Sequence, residues 1–142
     1  MLKTELIHPE ILRYLAQAGH GGKVLIADGD YPVKTTAGPN AGIVHLNLSP
    51  GTVSSTDVLK ALLSADVFEH AAVMDVPEGR EEPEIWGTYR EMLKGTAAEG
   101  ELERVERFAF YDRVRGDDTA LVIQTGETRD YANLLLTISS LW

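Results

Sequence analysis

The amino-acid sequence predicts an α/β fold: a single three-layer α/β/α domain with a mixed central sheet. Short apolar runs typical of buried strands alternate with segments whose apolar residues recur at helical spacing. The connections between these segments are short, as in folds that place helices on both faces of one sheet. We expect parallel and antiparallel strands together, because the link between Thr119–Gln124 and Asn133–Ile138 is too short for a helical crossover.

The first half of the chain begins with a predicted helix and a buried strand. Pro9 lies near the first helical position and Gly19 ends the helix. Its apolar face consists of Ile7, Ile11, Leu12, Leu15 and Ala16. The run Lys23–Ala27 ends at Asp28 and is typical of a strand that is buried on both faces. An extended loop, a second strand and a short helix capped by Asp57 follow at Val33–Gly42, Ile43–Leu48 and Val58–Leu63.

The second half of the chain continues this alternation. The apolar run Ala71–Val76 predicts a strand, which Pro77 and Gly79 close. Pro83–Lys94 has the periodicity of an amphipathic helix that ends before Gly95. A strand, a short helix and two final strands are predicted at Leu102–Arg107, around Tyr111, at Thr119–Gln124 and at Asn133–Ile138.

Composition and charge exclude several classes of function. The chain has 142 residues, of which 44% are hydrophobic and 25% charged, and we expect residues 1–142 to form one globular domain. Its 13 basic and 22 acidic residues give a net charge of −9, which repels nucleic acids and anionic membranes. No stretch approaches the ~20 apolar residues of a membrane span. Residues 1–10 lack an apolar signal core, so we expect a cytoplasmic protein.

Several familiar catalytic and metal sites are absent from the sequence. Without cysteine, the chain contains no disulfide, thiol nucleophile, iron–sulfur cluster or cysteine-based zinc site. It also contains no HxH or HExxH spacing, no GxSxG, no P-loop and no strand-linked GxGxxG. We therefore predict neither a metal nor a cofactor.

Two polar positions flank the first strand. His20 stands among glycines that give its imidazole little cover, and an imidazole both donates and accepts protons near neutrality. The alternative is a histidine favoured by the dipole at the end of the first helix. Asp28 and Asp30 are spaced to bind a divalent cation or hydroxyl groups, or else to form an ordinary Asx turn. A strand of ~5 residues at ~3.3 Å each separates His20 from Asp28, so one site containing both needs chain curvature or a neighbouring subunit.

Two further segments combine polar and aromatic side chains. Arg104–Arg113 suits a sugar, because aromatic rings pack on the apolar face of a sugar while arginine donates to its hydroxyls. Nucleic-acid binding is disfavoured by the acidic residues in the same segment. The remaining alternative is that Phe108 and Phe110 pack in the core and the charges are solvated. Tyr131-Ala132-Asn133 opens the last strand and supplies a phenol and an amide, which both donate and accept hydrogen bonds.

Four segments together carry a resemblance that none of them carries alone: MLKTELIHPEILRYLAQAGHGG, VLIAD, RFAFYDR and TGETRDYANLLL. In this order and spacing, the chain resembles from end to end the RbsD/FucU family of D-ribose pyranases and L-fucose mutarotases. RFAFYDR is similar to the fucose branch, because the ribose branch has a histidine where Tyr111 stands. Two stretches depart from the family pattern: Val114–Thr119 is longer than in the fucose enzymes, and residues 33–100 match only loosely.

The resemblance implies a cofactor-free mutarotase that interconverts the anomers of L-fucose or a similar aldose. It assigns the role of proton donor to His20. It assigns sugar binding to Asp28, Arg107, Tyr111, Tyr131, Ala132 and Asn133. It also implies a ring-shaped homodecamer with sites at subunit boundaries, so that His20 and Asp28 meet from different subunits. The apolar segment Leu134–Ile138 is then part of that boundary, an interior strand, or both.

Three other functions stay open at the level of sequence. The first is a D-ribose pyranase, which exchanges pyranose and furanose rings. The second is a sugar-binding accessory protein that works beside a transporter without catalysis. The third is magnesium-dependent phosphoryl chemistry at Asp28 and Asp30, which is disfavoured because phosphate-binding glycines with a lysine are absent.

Overall fold

Eleven helices and strands follow one another over residues 1–141, the part of the chain that the computed structural model describes. They are α1 (Pro9–Ala18), β1 (Lys23–Ala27), α2 (Val33–Thr36), β2 (Gly42–His45), α3 (Ser55–Leu63), β3 (Phe68–Met74), α4 (Glu84–Met92), β4 (Glu103–Val105), α5 (Arg107–Val114), β5 (Thr119–Gln124) and β6 (Leu134–Ile138). Within residues 1–141, no helix is both long and apolar enough to cross a membrane.

The strands form one six-stranded sheet in the order β2-β5-β1-β6-β3-β4. β1 pairs in parallel with β5, β5 with β2, and β3 with β4. β6 alone among these strands runs antiparallel to its neighbours β1 and β3. The predicted mixed sheet is therefore confirmed, and the apolar terminal segment is an interior strand. Because β6 runs in the opposite direction, its beginning lies beside the carboxyl ends of the other strands.

Helices cover both faces of the sheet, which confirms the predicted three layers. Alternate side chains of β1 point to opposite faces, as in any strand. Val24 and Ile26 lie in the core beneath α1, α3 and α4. Leu25 and Ala27 lie in the second core, beneath α2 and α5. All four side chains are fully buried, as the continuous apolar run predicts.

Several predicted boundaries are wrong. The loop predicted over Val33–Gly42 begins with one helical turn, α2, in which the Thr36 hydroxyl donates to the Pro32 carbonyl oxygen at 3.0 Å. Asp57 does not cap α3: the Ser54 hydroxyl accepts from the Asp57 backbone N–H at 3.1 Å, so α3 begins at Ser55. β2 ends before the predicted Leu48, and β3 begins at Phe68 rather than at Ala71.

One boundary error bears directly on function. The predicted strand Leu102–Arg107 is only three residues long, and Arg107 is the first residue of α5. The Glu106 side chain is the reason: it accepts from the backbone N–H groups of Phe108 and Ala109, at 3.0 Å each, and so caps the helix. Arg107 and Tyr111 are therefore four residues apart on one helix and lie on the same face.

Candidate active site

The carboxyl ends of the parallel strands and the beginning of β6 meet at one edge of the sheet. Asp28 follows β1, and Asn133 precedes β6. The pairing of Ile26 with Leu134 brings these two polar residues side by side, although they are 105 positions apart in the sequence. Open α/β sheets bind ligands at this edge.

Asn133 holds Asp28 at two points. Its side-chain oxygen accepts from the Asp28 backbone N–H at 2.8 Å, and its amide nitrogen donates to Asp28 Oδ2 at 3.0 Å. Only 4% of Asn133 is exposed, so the amide has a fixed orientation. The Asn133 amide and the Asp28 carboxylate are thereby oriented before a ligand binds.

The Asp28 carboxylate also forms the predicted Asx turn. Its Oδ1 accepts from the backbone N–H groups of Asp30 at 3.1 Å and Tyr31 at 2.9 Å. Burial raises the pKa of Asp28 above its ordinary value, while these hydrogen bonds act in the opposite direction. The turn and Asn133 together hold the carboxylate at the end of β1 with three hydrogen bonds.

α5 contributes the guanidinium group of Arg107 and the phenol of Tyr111 to the same pocket as Asp28 and Asn133. Arg107 Nε donates to the Tyr111 hydroxyl oxygen at 3.2 Å, and this bond raises the pKa of Arg107. The Tyr111 ring packs edge-on against the ring of Tyr31, with centroids 5.5 Å apart. The guanidinium group is exposed and available to donate to a bound ligand.

Tyr131, three residues before β6, lies at the same edge of the sheet. Its backbone lies in the left-handed region, with φ of 54°, which is uncommon for a residue other than glycine. The Arg80 guanidinium lies 4.8 Å from the centre of the Tyr131 ring and forms an ion pair with Asp130 at 2.8 Å. The ring is therefore held between the loop before α4 and the pocket.

These side chains enclose a cavity of about 200 Å³. It is lined chiefly by Asp28, Tyr31, Arg107, Tyr111, Tyr131 and Asn133. Ala132, which was also predicted, is fully buried between two lining residues, and its carbonyl oxygen accepts from the Tyr89 hydroxyl. Carboxylate, amide, guanidinium and phenol groups around aromatic rings provide both donors and acceptors and an apolar surface, which suits a monosaccharide.

His20 lies outside this cavity. It follows Gly19, the residue that ends α1 with φ of 72°, and lines a separate cleft of about 480 Å³ at the amino end of β1. Its Nε2 lies 3.2 Å from Glu69 Oε2, a carboxylate that the sequence did not suggest. Within one chain, His20 and Asp28 therefore occupy opposite ends of β1, as predicted from the length of the strand.

A buried polar network behind the cavity also escaped prediction. Glu127 Oε2 accepts from the Ser55 hydroxyl at 2.9 Å and from Arg129 at 2.8 Å. The bond from Arg129 lowers the pKa of Glu127 to about 2. The sequence contains no local signal for this contact, because Ser55 and Glu127 are 72 positions apart.

The lowered pKa of Glu127 predicts acid sensitivity. The pKa of Glu127 in the folded state lies below its ordinary value of 4.5, so the ionised carboxylate stabilises the fold fully above about pH 4.5. This stabilisation is lost as the pH falls from there toward 2. We expect a loss of about 2 kcal/mol of unfolding free energy from this group, since solvent screening at Arg129 weakens the pair. Urea titrations at several pH values measure it. Glu127→Gln must show a flatter pH dependence; an unchanged slope contradicts the prediction.

Comparison with known proteins gives the chain a family. Residues 1–140 match the RbsD / FucU transport protein family. The chain belongs to the RbsD/FucU family. This confirms the membership predicted from the four sequence segments.

Relatives with names are similar to the chain over most of its length. The fucose mutarotase of Danio rerio is 38% identical over 140 residues, which cover 92% of this chain and 87% of that protein. The fucose mutarotase of Homo sapiens is 31% identical over 138 residues, with the same coverage. A solved family structure, the fucose mutarotase of Streptococcus pneumoniae in complex with L-fucose, has a TM-score of 0.81 at 28% identity and covers 99% of this chain and 100% of its own.

Among residues 1–141, no three histidine, aspartate or glutamate side chains converge in a group that could hold a metal ion. The Asp28 carboxylate instead accepts its hydrogen bonds from two backbone N–H groups and from Asn133. The geometry of this family member is that of a polar cavity formed by hydrogen-bonding side chains.

Proposed function

We propose that the protein is an isomerase, a mutarotase that interconverts the α and β anomers of L-fucose or a similar aldose. The observation that carries the proposal is the cavity in which Asn133 orients Asp28 opposite Arg107 and Tyr111. It occurs in a chain that is 38% identical to a fucose mutarotase and shares its fold with a mutarotase solved with L-fucose.

The chemistry of a hemiacetal explains why such groups suffice. Opening a pyranose requires a proton at the ring oxygen and the removal of a proton from the anomeric hydroxyl. Rotation about C1–C2 then presents the other face of the carbonyl, and closure gives the other anomer. Groups held on both sides of the anomeric carbon lower this barrier together, and donor and acceptor exchange roles in the reverse direction. The proposal includes no cofactor.

Each residue has a proposed role in this reaction. Asp28 accepts hydrogen bonds from sugar hydroxyls, and Asn133 holds Asp28 while its amide faces the cavity. Arg107 donates to sugar oxygens. The rings of Tyr111 and Tyr131 cover the apolar face of the sugar.

His20 completes the proposed site from a neighbouring subunit as the proton donor. In support, its imidazole is exposed, lies among glycines and pairs with the Glu69 carboxylate. It lies at the amino end of β1 and so does not reach the cavity of its own chain at the carboxyl end. A closed symmetric ring, which we propose is a homodecamer in the cytoplasm, repeats one such boundary around its circumference.

Saturation-transfer NMR with L-fucose and D-ribose tests the proposed function. We expect the protein to accelerate exchange between the anomers of L-fucose above the spontaneous rate, and to do so in the presence of a strong chelator. Faster exchange of pyranose and furanose ribose, without exchange of fucose anomers, identifies a pyranase. Sugar binding without faster exchange identifies an accessory protein, and loss of activity with the chelator identifies a metal-dependent reaction.

A further inference from the structure

Two side chains of α4 bind two consecutive carbonyl groups beneath the cavity. Trp86 Nε1 donates to the Tyr131 carbonyl oxygen at 2.9 Å. The Tyr89 hydroxyl donates to the Ala132 carbonyl oxygen at 2.6 Å. Both side chains are fully buried, and they lie three residues apart on one face of the helix.

The backbone that they bind needs external support. Tyr131 is in the left-handed conformation, which costs free energy for a residue with a side chain. The strand that follows, β6, begins only at Leu134, three residues after Tyr131. The carbonyls of Tyr131 and Ala132 therefore lie outside the sheet pairing, and buried carbonyls require partners. α4 provides both.

Tyr89 is itself fixed in place. Its hydroxyl oxygen lies 2.7 Å from Ser55 Oγ, and Ser55 Oγ lies 2.9 Å from Glu127 Oε2, so the single proton of the Ser55 hydroxyl serves both contacts. Burial raises the pKa of Tyr89, so its hydroxyl remains protonated and able to donate. The Ala132 carbonyl is thus tied to a network in which Tyr89, Ser55 and Glu127 are all buried.

We propose that Tyr89, together with Trp86, is a positioning residue for sugar binding: it holds the segment Tyr131–Asn133 so that the Asn133 amide stays on Asp28. Neither side chain lines the cavity, and neither touches the sugar. The inference rests on the proposed function. Because the proposed proton donor His20 comes from the neighbouring subunit and is not held by Trp86 or Tyr89, loss of this support weakens binding and leaves proton transfer largely intact.

The variant Tyr89→Phe tests this role because it removes one hydroxyl and preserves the ring. We expect the KM for L-fucose to increase about tenfold, the effect of one lost hydrogen bond at a fixed donor, with kcat within about threefold of the parent. Trp86→Phe removes the donor to the neighbouring carbonyl and must raise KM in the same direction. Calorimetric titration with L-fucose gives the dissociation constant independently of turnover.

Ile11→Val is the matched control. Ile11 is a buried residue of α1 and does not line the cavity, so this substitution lowers stability without altering α4 or the cavity. Its KM must equal that of the parent at comparable loss of thermal stability. Parent-like KM and dissociation constants in either folded α4 variant, or an equal increase in Ile11→Val, overturn the proposal. If the parent binds L-fucose but does not catalyse exchange, the proposed function fails, and the dissociation constants still decide the role of Tyr89.

Discussion

The variant His20→Ala loses most of its anomer exchange while it folds and assembles as the parent does. A general acid–base group contributes about 10²–10⁴-fold to a rate, so the decrease is readily measured by saturation-transfer NMR. Folding is expected to survive because the His20 side chain is 59% exposed and its ion pair with Glu69 lies at the surface.

His70→Ala provides a closely matched control. His70 is also half-exposed, and it also pairs with a single carboxylate, since its Nε2 lies 3.0 Å from Glu103 Oε2. It is near the beginning of β3, at the same edge of the sheet as His20. We expect parent-like exchange in this variant. Parent-like exchange in His20→Ala would mean that another group transfers the proton.

Two inactive variants, His20→Ala and Asn133→Ala, recover activity when their subunits are mixed. Each proposed site takes His20 from one subunit and Asn133 from the next. After random exchange of equal amounts, about one quarter of the boundaries combine two intact residues, as follows from a repeated heterologous contact. The recovered rate is therefore about one quarter of the parent's, and light scattering reports the mass of the assembly.

The double variant, His20→Ala with Asn133→Ala in one chain, shows whether such recovery is specific. Mixed with the His20→Ala variant, it supplies no intact His20 at any boundary and must remain inactive. Subunit exchange is verified with a mass-tagged chain. Absence of recovery after verified exchange, or full activity of a monomer, removes the shared site.

The layers of the fold were predictable because they depend on local patterns. The continuous apolar run Lys23–Ala27 indicated burial on both faces, and each inward side chain now lies in one of two cores. The short link before β6 excluded a crossover helix and so predicted the antiparallel strand. Boundaries failed where side-chain caps decided them, as Ser54 and Glu106 did.

The cavity depended on contacts that no local pattern encodes. The resemblance to a family supplied Asp28 and Asn133, but their two hydrogen bonds follow from strand order across 105 positions. Tyr89 and Trp86 had only the signature of an amphipathic helix, which is the same for a core residue and for a donor to the Ala132 carbonyl. Their role as donors to these carbonyls follows only from the position of the segment before β6 in the fold.

The position of β6 has a consequence for biosynthesis. β6 alone joins the part of the sheet formed by β2, β5 and β1 to the part formed by β3 and β4. Ribosomes release a chain from its amino end, so β1 and β3 are made long before residues 134–138 emerge. Until then, both strands present an unpaired apolar edge to other nascent chains. A chain stalled at this stage lacks the strand that joins the two parts of its sheet and the Asn133 side of the cavity, and unpaired strand edges of this kind favour aggregation.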